Sequence, residues 1–218
     1  SARDVALALK AVGVNQHARV LVHGSISPWV ESLVLAAGAR HVHTADYNPP
    51  LCSGTKLVSC SHANSVLDTF DVVVSYSSLE HDGLGRYGDP LCVAGDLIAA
   101  DELYALLRPG GILLLAVPVA HTDFLKWPFH RVYGPKRLPR LVRRFQVIGV
   151  INHGQREHLV VLPEDDAVNG GNQPLLLLKK PLANATQLAK DEWPPLPTSL
   201  DSARYAHWWQ KESLWRHE

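Results

Sequence analysis

The sequence predicts an α/β domain, doubly wound on a mostly parallel sheet, with an antiparallel last strand. Three observations carry this. Apolar runs at 20–22, 70–75 and 112–117 have the length of buried strands, and helix-patterned stretches separate them. The first run ends in a small-residue turn, His23-Gly24-Ser25-Ile26-Ser27-Pro28. A second apolar segment ends in an acid, Asp46, as in domains that bind a ligand at the carboxyl edge of the sheet.

Residues 1–18 are expected to form a helix or partial cap on the sheet, through Val5, Leu7, Leu9 and Val12. After the strand at 20–22, Gly24 offers a permissive backbone position, and Ser25 and Ser27 let a ligand approach the main chain. Pro28 suits a first helical turn, and 29–38 follows a helical pattern that Gly38 stops. Residues 41–45 alternate like a strand and deliver Asp46, whose carboxylate suits the two hydroxyls of a ribose. Asn48-Pro49-Pro50 reads as a rigid turn, 56–59 as a short edge strand, and Val66 and Leu67 lead into the strand at 70–75.

The segment 76–95 holds Gly83, Gly85, Gly88 and Gly95 among Asp82, Arg86, Tyr87 and Asp89. A polar, glycine-punctuated loop over a sheet edge handles substrates more often than it builds a core. Asp96 is expected to cap a helix that Arg108-Pro109-Gly110-Gly111 stops before the central strand. Residues 128–134 read as a loop, 139–144 as a short helix and 145–150 as a strand. The runs 157–162 and 175–178 compete for the last sheet position, where a hairpin would make the strand antiparallel; Asp165-Asp166 and Gly170-Gly171-Asn172 form a loop between them. Residues 1–180 then make one domain, and 181–218 a Pro- and Trp-rich extension. Its Tyr205, Trp208, Trp209 and Trp215 are expected to dock on the domain or a partner, with a glycan-stacking surface as another reading.

Lys and Arg number 21 and so do Asp and Glu, so no net charge points to nucleic acid. The basic cluster at 136–144 has no aromatic ladder beside it, and no nucleic-acid partner is expected. No stretch is long and apolar enough to cross a membrane. The chain begins Ser1-Ala2 and has no Met, as expected of a trimmed piece. The compartment thus stays open between cytoplasm and secretory-pathway lumen, and oligomeric state is not encoded. Cys52, Cys60 and Cys92 fit neither a disulfide scaffold nor a zinc knuckle. Cys52 and Cys60 are within reach of pairing, but free buried thiols are the expectation. Asn184-Ala185-Thr186 is a glycosylation acceptor only in a secreted chain.

Three segments meet at the carboxyl edge in this reading: residues 77–82, 118–121 and 129–133. Phe70-Asp71-Val72-Val73-Val74-Ser75, Leu79-Glu80-His81 and Leu107-Arg108-Pro109-Gly110-Gly111-Ile112 resemble S-adenosylmethionine-dependent methyltransferases of the class I, Rossmann-like fold. More narrowly, residues 25–31, Ala45-Asp46-Tyr47-Asn48, the loop 76–90 and Tyr133-Gly134-Pro135 resemble a family of uncharacterised domains, DUF268, found in nematodes, algae and bacterial surface-glycan contexts. The resemblance covers residues 18–150. It implies an S-adenosyl-L-methionine cofactor held by Gly24, Ser25, Ser27, Asp46, Tyr47, Ser59 and Ser75. It implies a methyl acceptor, small-molecule or glycan, with an oxygen or nitrogen as the methylated atom.

A hydroxyl acceptor must lose its proton as the new bond forms, and a His can take it at neutral pH. His81 is the expected base, with Glu80 or Asp82 orienting it and His121 as an alternative. Arg86, Tyr87, Asp89, His130 and Tyr133 are expected to bind the acceptor. No metal site is expected: His41 and His43 share a strand face without a third ligand, and a site from His81, Asp82 and His121 is the weaker reading. The chain departs from the class in having one glycine in its first turn, where several are usual. That leaves a rival expectation, a non-catalytic binding or scaffold domain. A nicotinamide-dependent oxidoreductase lacks the glycine fingerprint and a Tyr-x-x-x-Lys pair.

Overall fold

A computed structural model of the chain describes residues 1–48, 58–62, 69–152, 155–156 and 173–182. The elements are α1 (Ala2–Ala11), β1 (Arg19–His23), α2 (Trp29–Ala36), β2 (His41–Asp46), β3 (Val58–His62) and β4 (Phe70–Tyr76). They continue with α3 (Gly95–Leu106), β5 (Leu107–Ala116), β6 (Phe124–Lys126), β7 (His130–Val132) and α4 (Arg137–Val142). The last are β8 (Gln146–Asn152), β9 (Gln155–Arg156) and β10 (Leu175–Lys179).

The main sheet runs β3-β2-β1-β4-β5-β10-β8-β9. β1 pairs in parallel with both β2 and β4, and β4 with β5, while β10 is antiparallel to β5 and β8. This is the expected doubly wound, mostly parallel sheet with antiparallel strands at its end. The chain lays β2 and β3 outward on one side of β1, then returns to lay β4 and β5 on the other. The strand order reverses between β1 and β4, and such a reversal opens a crevice at the carboxyl ends.

Alternation along the central strands explains why both faces carry helices. Leu21, Val73, Leu113 and Leu115 join one apolar cluster with Leu97 and Leu103 of α3 and Leu141 of α4. Val20, Val22, Val72, Val74 and Leu114 join the other with Val5 and Leu9 of α1 and Val30 and Val34 of α2. Successive side chains point to opposite faces, so a strand buried on both sides reads as a continuous apolar run.

Five details differ from the expectations. The run 175–178 does take a sheet position, but as β10 it lies inside the sheet between β5 and β8. Arg108-Pro109-Gly110-Gly111 does not sit outside the strand: it belongs to β5, because the Gly110 N–H donates to the Lys180 carbonyl and the Lys180 N–H to that of Gly111. Part of the loop expected at 128–134 is a hairpin arm, β7 pairing antiparallel with β6. Asp96 is not the cap of α3; Ala94 holds that position without a side-chain bond. Cys60 is disulfide-bonded rather than free, while Cys92 is a free, buried thiol. Cys52, the turn at Pro49-Pro50, Val66 and Leu67, the run 157–162, the loop 165–172 and the extension from residue 183 onward, with Asn184, lie outside the described residues.

Candidate functional site

A cleft of about 510 Å³ opens where β1 and β4 diverge. β1 ends in His23, and the turn after it contributes Gly24, Ser25 and Ile26 to the lining. Gly24 has φ +73°, and a Cβ there would lie 1.9 Å from Ser78 Oγ. The turn after β1 and the segment after β4 thus approach each other as only glycine permits. The Gly24 N–H donates to the Ala45 carbonyl (2.9 Å), tying the turn to the end of β2.

β2 delivers Asp46, Tyr47 and Asn48 to the cleft. The Asp46 carboxylate accepts the Ser25 N–H on Oδ2 (2.9 Å) and the Asn48 N–H on Oδ1 (2.7 Å). Each oxygen has a further lone pair, so the group is oriented without being saturated. Across the mouth, Asn48 Nδ2 donates to the Tyr87 carbonyl (2.9 Å).

The third wall follows β4. Ser77, Ser78, His81 and Asp82 line the cleft, and a 3₁₀ turn at Leu79–His81 carries them. Ser77 has φ +53°, the one positive value at a non-glycine among the described residues. Tyr87, Asp89, Pro90 and Cys92 close one side, and Ile98, Ala99 and Glu102 of α3 the other. Asp89 shapes its own loop by accepting the N–H groups of Gly83 (2.7 Å), Gly85 (3.2 Å) and Tyr87 (3.2 Å). Among the described residues, the lining contains Asp46, Asp82, Asp89 and Glu102 but no Lys or Arg.

His81 Nδ1 lies 2.5 Å from the Phe129 carbonyl, which can only accept, so Nδ1 carries the proton and Nε2 is left as an acceptor. Burial lowers the pKa of His81, the Phe129 bond working against it, so the ring is neutral at pH 7. Nε2 lies 3.7 Å from Glu80 Oε1. Glu80 is 1% exposed and sits behind the cleft wall rather than on it. Burial pushes its carboxyl up to about 7, against the Ser77 hydrogen bond and the Arg131 charge. Burial likewise holds the Asp82 carboxyl well above its ordinary range, with the nearby Asp96 charge adding to it. His23, pushed down to about 4 by burial against the pull of Asp46, is neutral too; its Nδ1 lies 3.4 Å from Ser75 Oγ and 3.5 Å from Ser78 Oγ.

Of the residues singled out in the sequence, the fold brings Gly24, Ser25, Asp46, Tyr47, His81, Asp82, Tyr87 and Asp89 onto one cleft. Ser27 lies exposed beside it, its carbonyl accepting the Ser25 hydroxyl (3.1 Å). Ser75 is fully buried beneath the cleft, and Ser59 on β3 pairs with His43 Nδ1 (2.6 Å). His121 is exposed after β5, away from the lining. Arg86 lies over the Tyr87 and Phe129 rings (5.3 and 5.5 Å), and His130 packs edge-on against His81 (6.2 Å). Tyr133 is fully buried and donates its hydroxyl to Asp96 (2.9 Å). Sequence reasoning passed over His23, Asn48, Ile98, Ala99 and Glu102. His23 was legible as the last residue of β1, directly before the turn, while the α3 residues carry no motif. Among the described residues, no group of three or more His, Cys, Asp or Glu side chains is arranged to hold a metal ion. No helix among them is long and apolar enough to cross a membrane.

The same architecture recurs in solved methyltransferases and in a cyclase. The 1,6-didemethyltoxoflavin-N1-methyltransferase of Burkholderia thailandensis, solved with 1,6-didemethyltoxoflavin and S-adenosylhomocysteine, is 18% identical, with a TM-score of 0.60 over 83% of this chain and 78% of that one. The N-methyltransferase NodS of Bradyrhizobium japonicum WM9, solved with S-adenosylhomocysteine, is 17% identical, with a TM-score of 0.53 over 82% and 87%. The (4+2)-cyclase SpnF is 14% identical, with a TM-score of 0.53 over 81% of each chain. At these identities the likeness establishes a class I methyltransferase-like fold. No curated protein matches the chain. A family model does, across residues 17–180, from the strand before the glycine turn to the end of β10. The chain therefore belongs to the family described as Caenorhabditis protein of unknown function, DUF268.

Proposed function

We propose that the chain transfers a methyl group from S-adenosylmethionine to a hydroxyl or amine of a small-molecule or glycan-type acceptor. The observation that carries this is Asp46, oriented by two backbone N–H groups at the end of β2, beside a side-chain-free Gly24 and a cleft of about 510 Å³. That volume is in the range of small-molecule sites. The residues fit the cofactor's chemistry: Asp46 offers free lone pairs to a ribose, and Gly24, Ser25 and Tyr47 border the same space. When bound, the cofactor supplies an electrophilic methyl carbon on a sulfonium. Asp46 and Asp89 on the lining favour a cationic donor over an anionic one.

His81 takes the acceptor's proton at Nε2, its tautomer held by the Phe129 carbonyl. The acceptor rests against the Tyr87 ring on the lining (39% exposed), with Asp89 near by and, just outside the lining, the Phe129 ring (47% exposed), Arg86 stacked on both rings, and His130. Such half-exposed rings offer an apolar face to a sugar or a heterocycle. The Cys60 disulfide supports an oxidising compartment such as the secretory-pathway lumen.

A second reading is a binding domain that keeps the fold without the transfer. Its support is the single-glycine turn, where Ser25 is buried and Ser78 already fills the space beside Gly24. Calorimetry separates the two. Micromolar binding of S-adenosylmethionine and S-adenosylhomocysteine, lost in Asp46→Ala, is the expected result. A folded protein that takes up neither ligand would sink the enzyme reading.

A further inference from the structure

We infer that Glu80 holds the proton that His81 takes from a hydroxyl in the cleft, and that Ser77 and Gln173 are the residues that position its carboxyl. The inference rests on the methyl-transfer reading and assigns it a destination for the proton. Glu80 has no surface on the cleft, yet both ends of its segment do: Ser77 and Ser78 on one side, His81 on the other. Ser77 Oγ donates to Glu80 Oε1 at 2.6 Å. Gln173, just before β10, donates from Nε2 to Ser77 Oγ at 3.0 Å and lies 3.4 Å from Glu80 Oε1. Glu80 Oε2 is buried with no hydrogen-bond partner, an open seat for a proton.

The backbone is bent to build this arrangement. Ser77 occupies a left-handed conformation while its N–H still donates to the Ala116 carbonyl, so β4 stays paired to its last residue and then turns sharply. Strain of this kind collects at functional sites. A glycine would relieve it, but glycine has no hydroxyl to orient Glu80.

The proton balance is direct. The acceptor O–H bond breaks, its electron pair stays with the oxygen as nucleophile, and the proton goes to His81 Nε2. From there it crosses to the Glu80 carboxyl, whose Oε1 lies 3.7 Å away, by a small movement of either side chain, and it resides on Oε2, the oxygen left without a partner. The direction follows from affinity: Glu80 titrates at about 7, whereas His81 is held below its ordinary value. Above pH 7 the resting pair is therefore a carboxylate beside a neutral ring, ready for one proton. The charges facing the pair are those of Arg131, Arg86, Asp82 and Asp89. His130, Tyr76, Tyr87 and Tyr133 are its other titratable neighbours.

The test is a pH titration by infrared and ring-resonance spectroscopy, which needs no substrate. The expected result is a buried carboxyl band titrating near pH 7 and absent from Glu80→Gln, with the His81 ring resonance inflecting at the same pH only when Glu80 is present. Ser77→Gly relieves the strained backbone, so it is expected to fold. Loss of the stabilising hydrogen bond should move the band's transition upward by on the order of one pH unit. A missing band, a His81 curve identical in Glu80→Gln, or an unmoved transition in Ser77→Gly would overturn the proposal. Calorimetric binding of S-adenosylmethionine with a failed titration removes this proposal alone. An intact titration without binding removes the transfer reading and, with it, the role given to the proton.

Discussion

Gly24 and Ser78 belong to segments 54 positions apart in the chain, yet one side chain fills the space the other residue leaves open. Gly24→Ala would set a Cβ 1.9 Å from Ser78 Oγ at a φ of +73°, and is expected to lower stability by about 1–3 kcal/mol in a denaturant titration. Adding Ser78→Gly should return the steric part of that loss and leave the backbone part. His81 has a different kind of consequence. On the proposed reading, with neutral His81 as the base and Glu80 emptying at about 7, methyl transfer should rise with pH and level off above that value. A rate that falls over the same interval would mean that a protonated group does the work. Asp46, Gly24 and His81 were legible as types in a pattern: an acid after an alternating strand, a glycine after an apolar run, a histidine after a buried strand. Glu102 and Ile98 were not, because their spacing is that of any helix and only packing turns them toward the cleft.

α3 and α4 are locked to the β7 segment by one buried carboxylate. Asp96 takes Arg137 on both oxygens (2.8 and 2.6 Å) and the Tyr133 hydroxyl on Oδ2 (2.9 Å), with Arg131 at 3.6 Å. Sequence logic expects a local cap from an acid at this point; three donors from a distant segment win instead, since each is charged or fully buried. Burial alone would raise the Asp96 carboxyl, but Arg131 and Arg137 hold it below its ordinary range. A depressed folded pKa contributes stability that is present above about pH 4 and lost as pH falls through the folded value. Asp96→Asn should therefore cost about 3–5 kcal/mol at neutral pH, by leaving two buried guanidinium groups underpaired, and should flatten the acid limb of the stability curve. The same cluster explains why Tyr133, expected at the acceptor, is turned inward. α4 has its own remote support: Asp123 accepts the N–H groups of Gly134 (2.7 Å), Lys136 (2.9 Å) and Arg137 (2.8 Å), a cap supplied from before β6 that spacing does not reveal.

Across the fold, the redox state of the thiols offers a check that needs no ligand. Cys92 is 4% exposed, so alkylation should reach it only on unfolding, whereas Cys60 should react only after reduction. Labelling of Cys60 in the unfolded, unreduced chain would remove the argument for an oxidising compartment. The strand order ties these parts together. Apolar runs at 20–22, 70–75 and 112–117, with helices between them, were enough to specify a parallel, doubly wound sheet, because burial on both faces demands that pattern. The glycine turn and Asp46 pointed to its carboxyl edge, since the ends of parallel strands gather on one side. Where β10 inserts, which loops face the cleft, and which acid caps, pairs or holds a proton all depend on contacts between distant segments. Those contacts have no period and no spacing rule, so residue order predicts the scaffold, and only the folded chain pairs Glu80 with Gln173 or Asp96 with Arg137.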